Sequence, residues 1–234
     1  MDFQNLKNDV WKANIELAKS GLIILTWGNV SGVDREAEAM AIKPSGVDYK
    51  KLKPEDIVVI SIKTGEVIDG DLRPSSDTPT HLFLYQEFKN IGGIAHTHST
   101  HATSWAQASM EIPCLGTTHA DTFYGPIPIT RNLTTSEIKN EYEKNTGKVI
   151  VEYFHEHNLV PLHMPAILVA NHGPFIWGEN PMDSFVNAIV LEEVAKMALY
   201  TLQLSPKDLD IPRGLLDKHF LRKHGPKAYY GQKK

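Results

Sequence analysis

The sequence contains a single cysteine, Cys114, among 234 residues, so no disulfide can form within the chain. That scarcity favours a reducing compartment. Long apolar runs are missing as well: stretches such as 22–25 and 58–60 are far shorter than the roughly 20 residues that span a membrane. The amino-terminal segment is polar and has no signal-peptide pattern. We therefore expect a cytoplasmic protein that does not enter a membrane.

Positive charge is scarce too. The chain has 24 Lys and Arg residues against 28 Asp and Glu, a net charge of −4, which argues against nucleic acid as the main partner. Histidine, by contrast, is abundant, with 11 residues. Because histidine titrates near neutral pH and is the commonest metal ligand, its abundance directs attention to metal chemistry.

One domain covering residues 1–234 is the default for a chain of this length. Apolar spacing and capping patterns predict helices from the amino terminus to Gly21, after residues 73–79, after the capping box at 134–137 (carrying Ile138 and Tyr142), and over 99–108, 148–157 and 181–204. Short apolar runs predict strands over 22–27, 40–43, 57–62, 66–68, 94–98, 166–170 and 175–177. Helices and strands intermix without repeats or linkers, so we predict a single α/β or α+β domain.

Two histidines, His96 and His98, lie two residues apart in a predicted strand. Residues two apart in a strand point to the same face, so both imidazoles would project together and supply half of a tetrahedral metal site. The alternative is a pair of surface or interface histidines. His101 adds a third imidazole, but on the helix that follows.

A further histidine, His172, stands where an apolar strand ends, followed by Gly173 and Pro174. Strand ends present functional side chains, and a glycine lets a ligand approach closely. A capping histidine in a turn is an equally good interpretation of this segment alone.

Three polar turns contain the parts of a phosphate-binding site, namely hydroxyls, an ammonium and glycine-rich backbone. Simple turn chemistry would explain any one of them, and none matches a nucleotide-binding motif. Asp77, in the third turn, could cap a helix, bind a metal or act as a base. The candidate residues are Gly28, Asn29, Lys43, Ser45, Gly46, Ser75 and Ser76.

Two further residues, Asp121 and Tyr230, could act as general acid and base if they converge on one substrate. Taken separately, Asp121 would be a turn residue and Tyr230 part of a disordered chain end. No Ser-His-Asp arrangement is present, and Cys114 has apolar neighbours, so a nucleophilic hydrolase fits poorly.

Six ordered blocks resemble the class II aldolase/epimerase family. The resemblance covers nearly the whole chain, and the ending at 218–232 (KHFLRKHGPKAYYGQ) is similar to the epimerases of that family in particular. The blocks are 26–31 (TWGNVS), 42–46 (IKPSG), 73–78 (RPSSDT), 96–102 (HTHSTHA), 116–121 (GTTHAD) and 171–174 (NHGP).

This resemblance implies a central, mostly antiparallel sheet with helices on both sides, in a homotetramer whose active sites lie between subunits. It implies that His96, His98 and His172 bind zinc, with Asp77 at the family's acidic position beside the metal. The residues of the three polar turns would hold the substrate, chiefly its phosphate. Asp121 and Tyr230 would be the acid/base pair, reaching the metal from an adjacent subunit.

The activity that the resemblance implies is epimerisation of a sugar phosphate by carbon–carbon bond cleavage and re-formation. Imidazole ligands also accept manganese or cobalt, so the metal is open to these alternatives. Three other functions stay open: a true aldolase that releases both fragments, a zinc-dependent hydrolase, and a non-catalytic metal-binding module. The hydrolase is disfavoured because no HExxH-like general base accompanies the histidines.

Overall fold

The computed structural model of the protein describes residues 2–205 and 209–231. Met1, residues 206–208 and residues 232–234 belong to the predicted domain of 1–234 but lie outside the described part, and so does Gln232 of the matched ending. The strands are β1 (Gly28–Asp34), β2 (Ala39–Ile42), β3 (Val58–Ser61), β4 (Val67–Asp69), β5 (Gly93–Thr97), β6 (Ala166–Val169) and β7 (Gly173–Gly178). They form one sheet in the order β4-β3-β2-β1-β5-β7-β6, with every neighbouring pair antiparallel.

Helices flank this sheet, which confirms the predicted architecture. They are α1 (Gln4–Lys19), α2 (Thr78–Glu87), α3 (Thr100–Gln107), α4 (Thr117–Ala120), α5 (Thr135–Lys139), α6 (Tyr142–Glu156), α7 (Pro181–Leu204) and α8 (Arg213–His224), with a 3₁₀ helix at Pro54–Asp56. Among the described residues, none of these helices is both long and apolar enough to cross a membrane.

Adjacent residues of β1 show how the two faces are covered. A Cβ atom on Gly32 would lie 2.6 Å from Pro181 and 2.9 Å from Val10, so this face packs against α7 and α1. Ser31 points the other way, and its hydroxyl contacts His81 and Tyr85 of α2. Because side chains alternate along a strand, the two neighbours define a sheet buried between helices on both sides.

The sheet register places a row of side chains on the α2 face. Asn29 of β1 is paired with His96 of β5, and His96 is paired with Phe175 of β7. Directly paired residues in an antiparallel sheet point to the same face. His96 therefore stands in the middle of a buried row, with its ring stacked on Phe175 at 4.2 Å between centroids.

The strand predicted at 22–27 was wrong. This segment forms turns, and β1 begins at Gly28, where the predicted strand was expected to end. Leu22 and Ile23 pack against the edge of the core, but the run then leaves it, since Leu25 is 76% exposed and adopts a positive φ of 57°. Gly28 is required at the entry to β1: its φ is 131°, and a Cβ there would approach Ile23 and the carbonyl oxygen of His96 within 2.7 Å.

Two helix predictions also need correction. Tyr142 does not continue the capped helix: α5 ends at Lys139, Glu141 has a positive φ of 50°, and α6 begins at Tyr142. The predicted helix at 148–157 therefore begins earlier and includes Gly147. A Cβ on Gly147 would lie only 3.1 Å from Phe83, so α6 packs closely on α2 at this glycine.

The carboxy-terminal segment after α7 contains a helix, α8, that the sequence analysis did not predict. Helix α8 is polar along most of its surface, and Leu216 and Phe220 are its buried residues. Those two side chains are four residues apart, which places them on one face of a helix. The chain then turns back, and Tyr230 is ordered against α8 rather than forming the free end that the sequence alone favoured.

Candidate active site

A groove of about 500 Å³ opens where β1 begins and β5 ends. Every residue predicted to bind metal or substrate lines it, although they come from widely separated segments. Thr26, Trp27 and Pro44 complete the lining. The predicted residues present are Asp77, His96, His98 and His172 for metal, and Gly28, Asn29, Lys43, Ser45, Gly46, Ser75 and Ser76 for substrate.

Three histidines converge in this groove. His96 lies in β5, His98 follows just after the strand, and His172 lies in the turn between β6 and β7. The Nε2 atoms of His96 and His98 are 3.1 Å apart, and one ring nitrogen from each of the three histidines lies within 4.8 Å of the others. The fold thus brings together two motifs that are more than seventy residues apart in the sequence.

Hydrogen bonds fix which nitrogens face the groove. Nδ1 of His96 lies 2.9 Å from the carbonyl oxygen of Pro174. A carbonyl only accepts, so this Nδ1 carries the hydrogen and Nε2 keeps a free lone pair. Nδ1 of His172 lies 3.3 Å from the hydroxyl of Tyr142, which leaves its Nε2 free in the same way when Nδ1 donates. Such outer partners orient metal-binding imidazoles in proteins.

Two of the three histidines, His98 and His172, are held in their neutral form. Burial lowers the pKa of His172 to about 3, and the neighbouring imidazoles of His96 and His98 add to this effect. Burial, and then His96, also lowers the pKa of His98. Because only a neutral imidazole can donate a lone pair to a metal ion, these groups need no deprotonation to bind one at neutral pH.

At the other side of the groove lies a buried ammonium group. Lys43 is 2% exposed; its Nζ donates to the carbonyl oxygen of Pro44 at 3.2 Å and lies 4.6 Å from the ring centre of Tyr49. In the described part of the chain, no carboxylate lies within ion-pair distance of it. Burial lowers its pKa to about 8, against a weaker opposing effect of Asp48. An anion entering the groove would supply the missing counter-charge.

Two loops place polar groups beside Lys43. A bridge between Pro44 and Pro74 joins them, and the amides of Ser45 and Ser75 donate across it to the carbonyls of Arg73 and Lys43 at 2.9 and 3.1 Å. The serine hydroxyls and Gly46 are thereby held on one wall of the groove. This arrangement is suited to a phosphate group, which accepts several hydrogen bonds at once.

Asp121 and Tyr230 lie together, but away from this groove. The carboxylate of Asp121 accepts hydrogen bonds from Arg222 and from Nδ1 of His219 at 2.9–3.2 Å. The ring of Tyr230 lies over the guanidinium of Arg222, 4.7 Å from its centroid. Neither Asp121 nor Tyr230 lines the groove of its own chain.

Residues 8–199 match the family described as the Class II Aldolase and Adducin N-terminal domain. The chain belongs to this family. Its structure is similar to an L-fuculose 1-phosphate aldolase, with 28% identity, a TM-score of 0.77, and coverage of 92% of this chain and 94% of that one.

More distant class II aldolase structures share the fold. An L-fuculose 1-phosphate aldolase from Glaciozyma antarctica PI12 has 17% identity and a TM-score of 0.76, with 96% of this chain and 84% of that chain covered. A sugar-phosphate aldolase from Thermotoga maritima has 18% identity and a TM-score of 0.68, with 88% and 98% covered.

The donor set fits a divalent metal ion, on which class II aldolases typically depend. Three ring nitrogens are directed into an open groove, so coordination positions are left for oxygen atoms of a substrate. Imidazole ligands suit zinc and other borderline metals better than calcium or magnesium. His96, His98 and His172 would therefore hold the ion.

Asp77 adds a negative charge beside the three histidines. Its carboxylate is not part of the cluster of ligand atoms that lie within 4.8 Å of one another. Asp77 occupies the N-cap position of α2, but its side chain makes no capping hydrogen bond there within the described structure. Its Oδ2 instead accepts from Nδ2 of Asn29 at 2.6 Å. Burial opposes ionisation, but nearby His96 and His81 and the Asn29 hydrogen bond outweigh it, so the pKa of Asp77 lies below its usual value.

Several residues around these sites were not singled out by sequence reasoning. Tyr142 contacts His172, His81 is buried against Ser31 below the groove, and Arg222 holds Asp121. Arg222 lies inside the matched ending, so the family resemblance offered a signal for it. Tyr142 and His81 carried no local signal, because their partners lie 30 and 50 residues away.

Four other histidines, His101, His119, His219 and His224, also have hydrogen-bonding partners. His219 donates to the carboxylate of Asp121, and His224 contacts the main-chain carbonyl of Asp121 at 2.9 Å. His101 contacts Glu192, and His119 is buried with its Nε2 2.8 Å from the carbonyl of Gly125. A carbonyl only accepts, so His119 donates there, while burial lowers its pKa to about 4.

Proposed function

We propose that this protein is an L-ribulose-5-phosphate 4-epimerase, which interconverts L-ribulose 5-phosphate and D-xylulose 5-phosphate. The observation that carries this proposal is the groove itself: three histidines face the same space as the unpaired ammonium of Lys43. The histidine end suits the carbonyl and hydroxyl oxygens of a ketose, and the Lys43 end suits its phosphate. A phosphorylated sugar matches both ends.

The chemistry follows from the substrate. The hydrogen on C4 is not acidic, so this centre cannot be inverted by simple proton removal. Instead, a base takes the proton of the C4 hydroxyl and the C3–C4 bond breaks, giving an enediolate and glycolaldehyde phosphate. The aldehyde rotates, the enediolate attacks its other face, and an acid protonates the new C4 oxygen. Exchange with solvent then returns both groups to their starting protonation states.

We propose zinc as the metal held by His96, His98 and His172, with manganese or cobalt as substitutes. When bound, the ion would supply Lewis-acid stabilisation of the negative charge on the enediolate oxygens, an effect worth several kcal/mol. Asp77 is ionised beside these histidines, and Asn29 orients its carboxylate. This carboxylate would hold either the ion or the hydroxyl groups of the substrate in place.

Lys43 and the serine-bearing loops would retain the aldehyde while it turns. Retention matters because glycolaldehyde phosphate is no longer bonded to the rest of the substrate after cleavage. Lys43, Ser45 and Ser75 would keep its phosphate fixed, so that only the carbonyl end rotates. This confinement makes re-addition an intramolecular-like step.

Asp121 and Tyr230 would act as the acid/base pair on opposite faces of the aldehyde. Hydrogen bonds from Arg222 and His219 outweigh burial and lower the pKa of Asp121, so it enters the reaction as a carboxylate base. Tyr230 supplies a phenolic hydroxyl, which can donate on the other face. Since neither lines the groove of its own chain, we propose a homotetramer in which each groove is completed by a neighbouring subunit.

The direct test is a coupled assay that follows conversion of L-ribulose 5-phosphate into D-xylulose 5-phosphate. We expect turnover with zinc-loaded protein, loss after chelation, and recovery when zinc is returned. Absence of conversion by fully metal-loaded protein would overturn the proposal. Conversion that persists with a chelator and no detectable metal would overturn its metal-dependent part.

A sugar-phosphate aldolase is the second candidate, because a 28% identical protein is named L-fuculose 1-phosphate aldolase. The two activities share bond cleavage and differ in whether the fragments leave. An aldolase acting on L-ribulose 5-phosphate would accumulate free glycolaldehyde phosphate as fast as substrate disappears. An epimerase would release it only as a minor fraction, so quantifying the aldehyde separates the candidates.

A further inference from the structure

Arg222, on α8, binds both oxygens of the Asp121 carboxylate. Its Nη2 lies 2.9 Å from Oδ1 and 2.9 Å from Oδ2, and its Nε lies 3.2 Å from Oδ1. The side chain of Asp121 is 16% exposed, so this contact is partly shielded from solvent. Such a forked arrangement fixes the orientation of a carboxylate as well as its position.

The same residue holds the segment that carries Tyr230. The main-chain amides of Tyr229 and Tyr230 both donate to the carbonyl oxygen of Arg222, at 2.9 and 3.1 Å. The ring of Tyr230 also covers the guanidinium, 4.7 Å away. The main chain and the side chain of Arg222 thus both hold the segment that carries Tyr230 against α8.

Neighbouring cations contribute less to this arrangement. Lys223 approaches Asp121 at 3.4 Å through a single nitrogen and also lies near the Tyr230 ring. Lys218 lies over Tyr229, at 5.1 Å, and has no contact with Asp121 in the described structure. Only the Arg222 guanidinium combines hydrogen bonds to both carboxylate oxygens with contact to Tyr230, among the residues that the structure describes.

We propose that Arg222 is a positioning residue that sets the relative placement of Asp121 and Tyr230, so that one side chain aligns both acid/base groups for a shared substrate. This inference rests on the proposed function for its catalytic meaning. The contacts that carry it lie outside the histidine groove and do not depend on which metal occupies that groove.

Lysine cannot replace arginine in this role. An ammonium group is a point charge without a planar fork, and it cannot bind two carboxylate oxygens in a fixed plane while its face stacks on a phenol ring. Arg222→Lys therefore keeps the charge but loses the alignment, whereas Arg222→Met loses both. Lys218→Met is the matched control, because it removes a cation from the same helix without touching Asp121.

The first experiment measures kcat, KM and their pH dependence for the metal-loaded protein and these three variants. We expect kcat to fall on the order of 100-fold in Arg222→Met and less in Arg222→Lys, since small misplacements of catalytic groups have effects of this size. KM should stay close to that of the parent protein, because the phosphate-binding loops are untouched.

The pH profile provides a readout that general loss of structure would not produce. Arg222, His219 and Lys223 of α8 surround the Asp121 carboxylate, and His224 contacts its main chain. Removing Arg222 takes away the strongest hydrogen bonds to the ionised form, so the acidic limb of kcat should move to higher pH. An unchanged kcat and acidic limb in Arg222→Met would overturn the positioning role while leaving the epimerase proposal intact.

A second readout does not require activity. Trypsin cleavage after Lys227, followed by mass spectrometry, reports whether the segment carrying Tyr230 is held on α8. We expect faster cleavage in Arg222→Met than in the parent protein or in Arg213→Met, which removes a cation of α8 that contacts Tyr124 and Asp217 rather than this segment. Zinc content and melting temperature show that each variant is folded. Equal cleavage rates would overturn the inference, whichever reaction the protein catalyses.

Discussion

Nδ1 of His96 lies 2.9 Å from the carbonyl oxygen of Pro174, and this contact determines the chemistry of the opposite nitrogen. Pro174 is the second residue of β7 and lies two positions after His172, so the residue that orients one histidine is close in sequence to another. The β5–β7 pairing therefore positions the ligands and their hydrogen-bonding partners together. His96 lies in the sheet itself, and His98 and His172 are each the residue next to the end of a strand.

Tyr142 should strengthen metal binding through His172. Tyr142→Phe removes the hydroxyl that lies 3.3 Å from Nδ1 of His172, and we expect about 10-fold weaker zinc affinity, the lower end of effects seen for outer-shell partners. Competition with a chromophoric chelator measures it. Tyr153→Phe is the control: that tyrosine is on the same helix but stacks on His157. Equal affinities for the two variants would contradict the prediction.

Phosphate affinity should depend on Lys43. Lys43→Met removes the buried ammonium of the groove, and we expect KM to rise about 10- to 100-fold, the range for a hydrogen bond to a charged group. The inhibition constant of inorganic phosphate should rise in parallel. Lys51→Met, at an exposed position, serves as the charge control. An unchanged phosphate inhibition constant in Lys43→Met would remove Lys43 from the phosphate site.

The pH dependence of substrate binding should follow the same residue. Burial lowers the pKa of Lys43 to about 8, so its charge is lost as the pH rises through that value and KM should increase. The same shift affects stability. In the unfolded chain the pKa of Lys43 is near 10.5, so between pH 8 and 10.5 the unfolded state binds more protons than the folded state. The buried ammonium therefore destabilises the folded state less as the pH rises. Lys43→Met should lack this alkaline rise in KM; a rise of equal size in that variant would assign it to another group.

The acid/base pair and the histidines should act from different subunits. Asp121→Asn and Tyr230→Phe should each reduce kcat by 100- to 10,000-fold, roughly the contribution of a general acid or base, while zinc content is retained. His96→Asn should lose both zinc and activity.

Mixing two inactive variants gives a sharper test of shared sites. Subunits of Asp121→Asn and His96→Asn, unfolded together and refolded, should regain about a quarter of the parent activity, because random assembly in a ring pairs an intact groove with an intact neighbour at that frequency. Each variant refolded alone is the control. No recovery in mixed oligomers shown to contain both subunits would contradict sites shared between chains.

The entry to β1 should tolerate only glycine. Gly28→Ala places a methyl group within 2.4 Å of Ile23 and 2.7 Å of the His96 carbonyl oxygen, at a φ of 131°. We expect the free energy of unfolding to fall by about 1–3 kcal/mol, as measured by chemical denaturation. Gly116→Ala is the control, because a Cβ there meets no atom within 4 Å. Equal stabilities would contradict the close approach described here.

Local signals in the sequence were sufficient for several elements. The start of helix α7 was predicted because Asn180 caps it and Pro181 starts it, and the Asn180 side chain does accept from the amide of Asp183. The apolar spacing placed its end at about Leu204, where it does end. The capping box at Thr134 was also confirmed. These features depend on neighbours three or four residues apart, which periodicity and capping patterns can detect.

Long-range packing explains what was missed. The run at 22–27 has strand-like composition, yet it is exposed at the rim of the groove and pairs with no strand. Helix α8 has little amphipathic pattern in its sequence. It is held instead by Phe220 and by contacts to Asp121, about a hundred residues away, which a local pattern does not reveal. The prediction that the groove residues converge came from the family resemblance, since no spacing rule joins Lys43 to His172.

The row formed by Asn29, His96 and Phe175 also couples metal binding to the correct strand register. If β5 slipped by one residue, Ala95 or Thr97 would occupy the place of His96, and the imidazole would turn to the opposite face. A chain misfolded in this way would gain no binding free energy from the ion. Binding acts only on the correctly paired chain and so draws the population toward it by mass action. The ion would then stabilise the correct register of β5 relative to a shifted one.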